Sequence, residues 1–180
     1  MKIVTISGSL RQKSFNTALL ATLVSFEPDD VEFENAAIAE LPLYNDDLTG
    51  DALLPVQRFR AQITAADGVL IATPEYNYGI PGPLKNAIDW ASRPAYQAPF
   101  TQKPVGILGA SMGVVGTARG QGQLKQVLLG MASQVFPYPE VLVGQSGKKF
   151  DVELRLVDED TLKHLQKFLT TYLAWVRKVR

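Results

Sequence analysis

The 180-residue sequence predicts an α/β protein, a three-layer sandwich in which helices cover both faces of a five-stranded parallel sheet. Two observations predict it. The strand-like runs are apolar almost without alternation, as strands buried on both faces are. A helical pattern separates each run from the next, as a parallel sheet with right-handed crossovers requires. The first run, "KIVTIS" at 2–7, is short and β-branched, and it is followed by a helix over 16–26 with Leu19, Leu20 and Leu23 at helical spacing. Asn16 or Thr17 is expected to cap that helix. Strands at 31–36 ("VEFENA"), 68–74 ("GVLIATP"), 104–110 ("PVGILGA") and 140–144 ("EVLVG") then alternate with helices at 52–66, 83–92 and 117–135. In the last helix, 159–178, Leu162, Leu165, Leu169, Leu173 and Val176 form one face. Asp158 to Asp160 at its start, and Arg177, Lys178 and Arg180 at its end, suit the helix dipole. No repeat, linker or low-complexity segment interrupts the pattern, so a single domain over 1–180 is expected. Five such strands fit the order 2-1-3-4-5, with ligands at the carboxyl ends of the strands near the switch between the first and third.

Composition narrows the function classes. Lys plus Arg and Asp plus Glu both number 18, so no charge excess points to nucleic acid or a membrane surface, and a small-molecule partner is expected. Cys is absent, which excludes disulfides, thiolate nucleophiles and Cys-based metal sites. No apolar run reaches the length of a membrane span, and the N-terminal one breaks at Gly8, too early for a signal peptide, so the cytoplasm is the expected compartment.

The loops after the first, third and fourth strands are the oddest stretches of the chain: "GSLRQKSFN", "TPEYNYGIPGPLKN" and "ASMGVVGTARGQG". The first lacks the glycine patterns of a dinucleotide fold or a nucleotide triphosphatase. It offers side chains instead. Ser9, Ser14 and Asn16 can donate to a phosphate and Arg11 can add a charge-assisted bond, although an ordinary polar turn with a helix cap has the same composition. In the second loop Pro74, Pro81 and Pro83 stiffen the backbone around Glu75, Tyr76, Asn77 and Tyr78, and Gly79 and Gly82 permit positive φ or close approach. A rigid loop with two aromatics suits a planar heterocycle; tyrosines packed on a neighbouring helix are the alternative.

"GSLRQKSFN" followed by "PEYNYGIPGPLKNAIDW" resembles the NADPH-dependent FMN reductase family, which includes soluble quinone, azo-dye and chromate reductases, and the resemblance spans roughly residues 1 to 145. It implies a flavodoxin-like fold and non-covalent FMN. It further implies that Ser9, Arg11, Ser14, Phe15, Asn16 and Thr17 hold the phosphate and ribityl chain, and that Pro74, Glu75, Tyr76, Asn77, Tyr78 and Gly79 line the isoalloxazine. Ser111 and Gly113 would approach the flavin from the third loop, while Arg119 receives no role. NADPH or NADH would be the co-substrate, a quinone-like molecule the acceptor, the scheme ping-pong, and the assembly a homodimer or homotetramer. No catalytic side chain is expected, because the flavin carries the reactivity. Two other readings are a reductase that releases reduced flavin to a partner monooxygenase and a flavodoxin-type electron carrier. Carriers of that type tend to be strongly acidic, which the charge balance here disfavours.

The remaining candidates read as structural. His164, the only histidine, sits in the last helix, away from the three loops. Asp46 and Asp47 are two adjacent carboxylates without further ligands, so no metal is expected there, and Lys148 and Lys149 read as solvated charge. In the helix at 83–92, Leu84, Ala87, Ile88 and Ala91 can cover the sheet, which leaves Trp90 to form a second apolar surface with Tyr96 and Phe100. That surface is expected to meet a second copy of the chain; the alternative is that Trp90 folds under its own 94–100 loop.

Overall fold

The computed structural model describes residues 1–26 and 28–180. Its strands are β1 (Lys2–Ser7), β2 (Glu32–Asn35), β3 (Gly68–Ala72), β4 (Pro104–Ala110), β5 (Gln134–Val135) and β6 (Val141–Val143). Its α-helices are α1 (Phe15–Val24), α2 (Leu54–Ala65), α3 (Gly82–Trp90), α4 (Ala118–Gly130) and α5 (Glu159–Val179). The strands pair in parallel in the order β2-β1-β3-β4-β5, and β6 also pairs with β4. This is the flavodoxin-like architecture read from the sequence.

The absence of alternation in the strands has a direct cause. Side chains of β1, β3 and β4 serve both faces: Ile3, Leu70 and Leu108 pack beneath α1 and α5, whereas Val4, Val69, Ile71, Val105 and Ile107 meet α2, α3 and α4. The hydroxyl of fully buried Tyr172 in α5 reaches the Val69 carbonyl at 3.0 Å, and Gly68 leaves room for it, since a Cβ there would stand 2.5 Å from that oxygen.

Two local expectations are corrected. The helix expected over 117–135 stops at Gly130, and Ala132 turns the chain with φ of 57°. Gln134 and Val135 then pair with Pro104 and Val105 as β5. Pro137 and Pro139 supply no N–H for a ladder, so the chain leaves the sheet and returns as β6 beside Leu108, Gly109 and Ala110. The fifth strand is therefore split in two.

Trp90 is the second correction. It is only 7% exposed within one chain, its Nε1 donates to the Pro42 carbonyl at 2.7 Å, and its ring centroid lies 4.8 Å from that of Tyr44. Asn86 reinforces the contact by donating to Pro42 O and accepting from Tyr44 N. Phe100 is fully buried and only Tyr96, 77% exposed, stands free. The chain's own 42–44 segment covers Trp90, so the ring is not part of an exposed apolar surface. Trp90→Ala should accordingly cost about 3 kcal/mol of stability in a urea titration, as loss of a buried aromatic does.

Among the described residues no helix is long and apolar enough to cross a membrane.

Candidate functional site

The first loop is built around the start of α1. The cap is Ser14, whose Oγ accepts from Thr17 N at 3.2 Å; Asn16 and Thr17, expected as caps, lie inside the helix. As first and second residues of the helix, Phe15 and Asn16 have N–H groups without an intrahelical acceptor, and the helix dipole adds positive potential there. The Ser14 hydroxyl hydrogen remains available to a ligand, because Oγ accepts in the cap bond. Ser9 is nearly buried and its Oγ accepts from Arg11 N at 3.3 Å, which folds the loop back and leaves the Arg11 side chain exposed. The hydroxyl of exposed Thr17 is bonded to Ser7 Oγ at 2.8 Å, which ties the start of α1 to the end of β1.

The Asn16 side chain has a structural role that its residue type did not announce. It is buried, its Nδ2 donates to Ala110 O at 3.0 Å, and its Oδ1 accepts from Ala110 N at 2.9 Å. Both polar atoms thus fasten α1 to the end of β4. Among the described residues its backbone N–H and the second hydrogen of Nδ2 have no other partner, and both remain for an anion.

The second loop carries a two-residue hairpin. Tyr76 and Gly79 exchange backbone hydrogen bonds of 3.0 Å each, and Asn77 and Tyr78 between them have φ of 49° and 70°. Left-handed backbone at both central positions is what such a turn demands. Asn tolerates it, whereas a bulky Tyr is strained. Gly79 itself lacks positive φ; a Cβ there would lie 2.7 Å from Gln123 Oε1, so the close approach at this position comes from the end of a side chain of α4, which a larger residue would displace.

Glu75 turns its carboxylate toward α4. Oε2 accepts from Arg119 N at 2.9 Å and Gly120 N at 3.0 Å, and Oε1 lies 3.2 Å from Arg119 Nη1. The formal cap of α4, Thr117, makes no side-chain cap bond, so Glu75 performs that function from another loop. Burial pushes the Glu75 carboxyl up, but the Gly120 N–H, the Arg119 guanidinium and the Arg119 N–H outweigh it and hold the group below its ordinary value of 4.5. A carboxyl depressed in the folded state contributes stability that is complete above the ordinary value and is lost as pH falls through the lower folded one. Thermal midpoints of Glu75→Gln should therefore fall below the native ones near neutral pH, with the gap narrowing below pH 4.5.

These loops enclose a cleft of about 210 Å³ at the carboxyl ends of β1, β3 and β4. Ser9, Arg11, Ser14, Phe15, Asn16, Pro74, Glu75, Tyr76 and Ser111 line it together with Ala110 and Met112. Of the residues expected at the site, Thr17, Asn77, Tyr78, Gly79 and Gly113 fall outside this lining. Gly113 N donates to Ser111 Oγ at 3.0 Å, fixing the third loop. Met112 joins the lining without a signal in the sequence, because a flexible thioether after a strand reads no differently from a core residue. A depression of about 270 Å³ between β6 and the start of α5 includes His164, but its Lys149 ammonium is already bonded to Thr161 and paired with Asp158. Unlike the cleft, it offers no convergent donors.

Residues 1–148 match the family model described as NADPH-dependent FMN reductase. The chain is 46% identical over 181 residues to an NAD(P)H-dependent FMN reductase of Pseudomonas aeruginosa, covering 100% of this chain and 97% of that one. It is 43% identical to a 2-hydroxy-1,4-benzoquinone reductase of a Burkholderia species, covering 100% and 98%. Among solved structures it superposes on the flavoenzyme FerB, an NAD(P)H:(acceptor) oxidoreductase of Paracoccus denitrificans, with a TM-score of 0.89 at 38% identity, covering 99% and 98%. The loops that shape the cleft all lie within the matched residues, and the chain is an oxidoreductase belonging to the NADPH-dependent FMN reductase family.

Proposed function

We propose that this single domain binds FMN non-covalently in the cleft and passes reducing equivalents from NADPH or NADH to a quinone-like acceptor in a ping-pong scheme. The observation that carries the reading is the donor set at one end of the cleft: the exposed Arg11 guanidinium, the Ser14 hydroxyl and the first N–H groups of α1 converge where a phosphate monoester needs them. Ser9 and Ser111 stand along the cleft for the ribityl hydroxyls, and Pro74 to Tyr76 form a wall for a flat ring. The bound flavin would supply the hydride-accepting and hydride-donating chemistry. The protein's part is to hold the ring against the Pro74–Tyr76 wall and to leave its other face open to two small substrates in turn. No side chain in the cleft has to act as nucleophile or proton shuttle.

The names of the relatives favour an enzyme over a carrier, and so does the balance of 18 basic and 18 acidic side chains. A second copy of the chain is the proposed neighbour, because Tyr76, Tyr78, Met112, Val114 and Val115 stand exposed on the two loops that flank the cleft. A homodimer or homotetramer would give two or four times 19.7 kDa by light scattering, and the cytoplasm is its proposed compartment.

Arg11→Ala should weaken FMN binding about tenfold to a hundredfold, as loss of one charge-assisted bond does, while leaving affinity for riboflavin unchanged. Equal losses for both ligands would move the phosphate away from Arg11. Yellow colour retained through gel filtration would favour a prosthetic flavin over one released to a monooxygenase.

A further inference from the structure

Arg119 and Gln123 are one helical turn apart in α4, on one face, and both reach back to the loop after β3. Gln123 Oε1 accepts from Ile80 N at 2.7 Å, immediately beyond the hairpin. The Arg119 guanidinium lies 4.2 Å from the centre of the Tyr78 ring, the residue in the strained left-handed position, and pairs with Glu75 at 3.2 Å. The backbone of α4 completes the joint through the N–H groups that Glu75 accepts. The 75–80 segment is thus gripped at its start, tip and end by three successive features of one rigid helix, and the Glu75 side chain is only 11% exposed within that grip.

We propose that Arg119 and Gln123 are positioning residues for the flavin: through Glu75, Tyr78 and Ile80 they fix the wall against which the isoalloxazine packs, without touching it. The inference rests on reading the cleft as the flavin site. It gives Arg119 a role, and it makes Gly79 a seat for Gln123. An Ala at 79 would displace the Gln123 amide and release Ile80, so Gly79→Ala and Gln123→Ala would break the same contact.

The test uses the full chain, with and without FMN. In the apo protein, hydrogen exchange should quicken at Ile80 in Gln123→Ala and at Arg119 and Gly120 in Glu75→Gln, while amides of β3 stay protected as a control on folding. With FMN, Gln123→Ala and Arg119→Ala should each raise the dissociation constant about threefold to tenfold, the equivalent of one lost contact. Arg119→Lys should recover part of that loss. The Gly79→Ala, Gln123→Ala double variant should bind FMN no more weakly than the worse single one, because coupled contacts are not additive. Additive losses would mean that Gly79 faces the flavin directly and would overturn the inference. So would native FMN affinity in Gln123→Ala and Arg119→Ala, with the flavin reading left intact. A native protein that takes up no FMN would overturn both.

Discussion

Asn16→Ala is expected to lower the unfolding free energy by about 2–4 kcal/mol, since it leaves two buried backbone groups without partners at roughly 1–3 kcal/mol each. Those groups are the N–H and C=O of Ala110, the last residue of β4, and among the described residues Asn16 alone supplies their side-chain partners, at 2.9 and 3.0 Å. Two loops of the cleft should loosen together, because the same side chain ties the start of α1 to the point where the third loop departs. FMN affinity should fall with stability, and Asn16→Asp should not rescue either, because a carboxylate cannot donate to Ala110 O. Urea unfolding and a fluorescence titration with FMN would measure the two effects. Unchanged stability would show that Ala110 finds other partners.

Gly79→Val should cost FMN binding about tenfold to a hundredfold while far-ultraviolet circular dichroism stays native, the usual range for a side chain forced into a filled space. The backbone at 79 is not left-handed, so Val can adopt it. The cost arises because the first atom of the new side chain would already stand 2.7 Å from Gln123 Oε1, and two methyl groups follow. Pushing Gln123 aside frees Ile80, and pushing the hairpin aside moves Tyr76, which lines the cleft. Native FMN affinity in this variant would remove the loop after β3 from the flavin wall.

What the sequence showed of the fold was governed by local pattern. Continuous apolar strands and intervening helices placed three unusual loops at one edge of the sheet, and the structure encloses the cleft with those loops. Contacts between distant segments were not legible. Trp90 is covered by residues 42–44 in a stretch with no periodicity, and Glu75 caps a helix 44 residues further on. The split fifth strand was readable in part: Gly130, Pro137 and Pro139 punctuate it, but a helical pattern running to Val135 outweighed them. At the site, residue types marked Ser14 and Asn16 as polar groups at a helix start, but not that Ser14 is the cap or that Asn16 bonds Ala110. An amide near a helix start can cap, bind a ligand or join two elements, and only the fold shows which.

Absorbance of the purified protein in the absence of oxygen tests the central claim most directly. The account predicts a flavin spectrum, native or after addition of FMN, that is bleached by NADPH or NADH and restored by a quinone. A colourless protein that takes up no added FMN, or a bound flavin that neither nicotinamide nucleotide reduces, would contradict it.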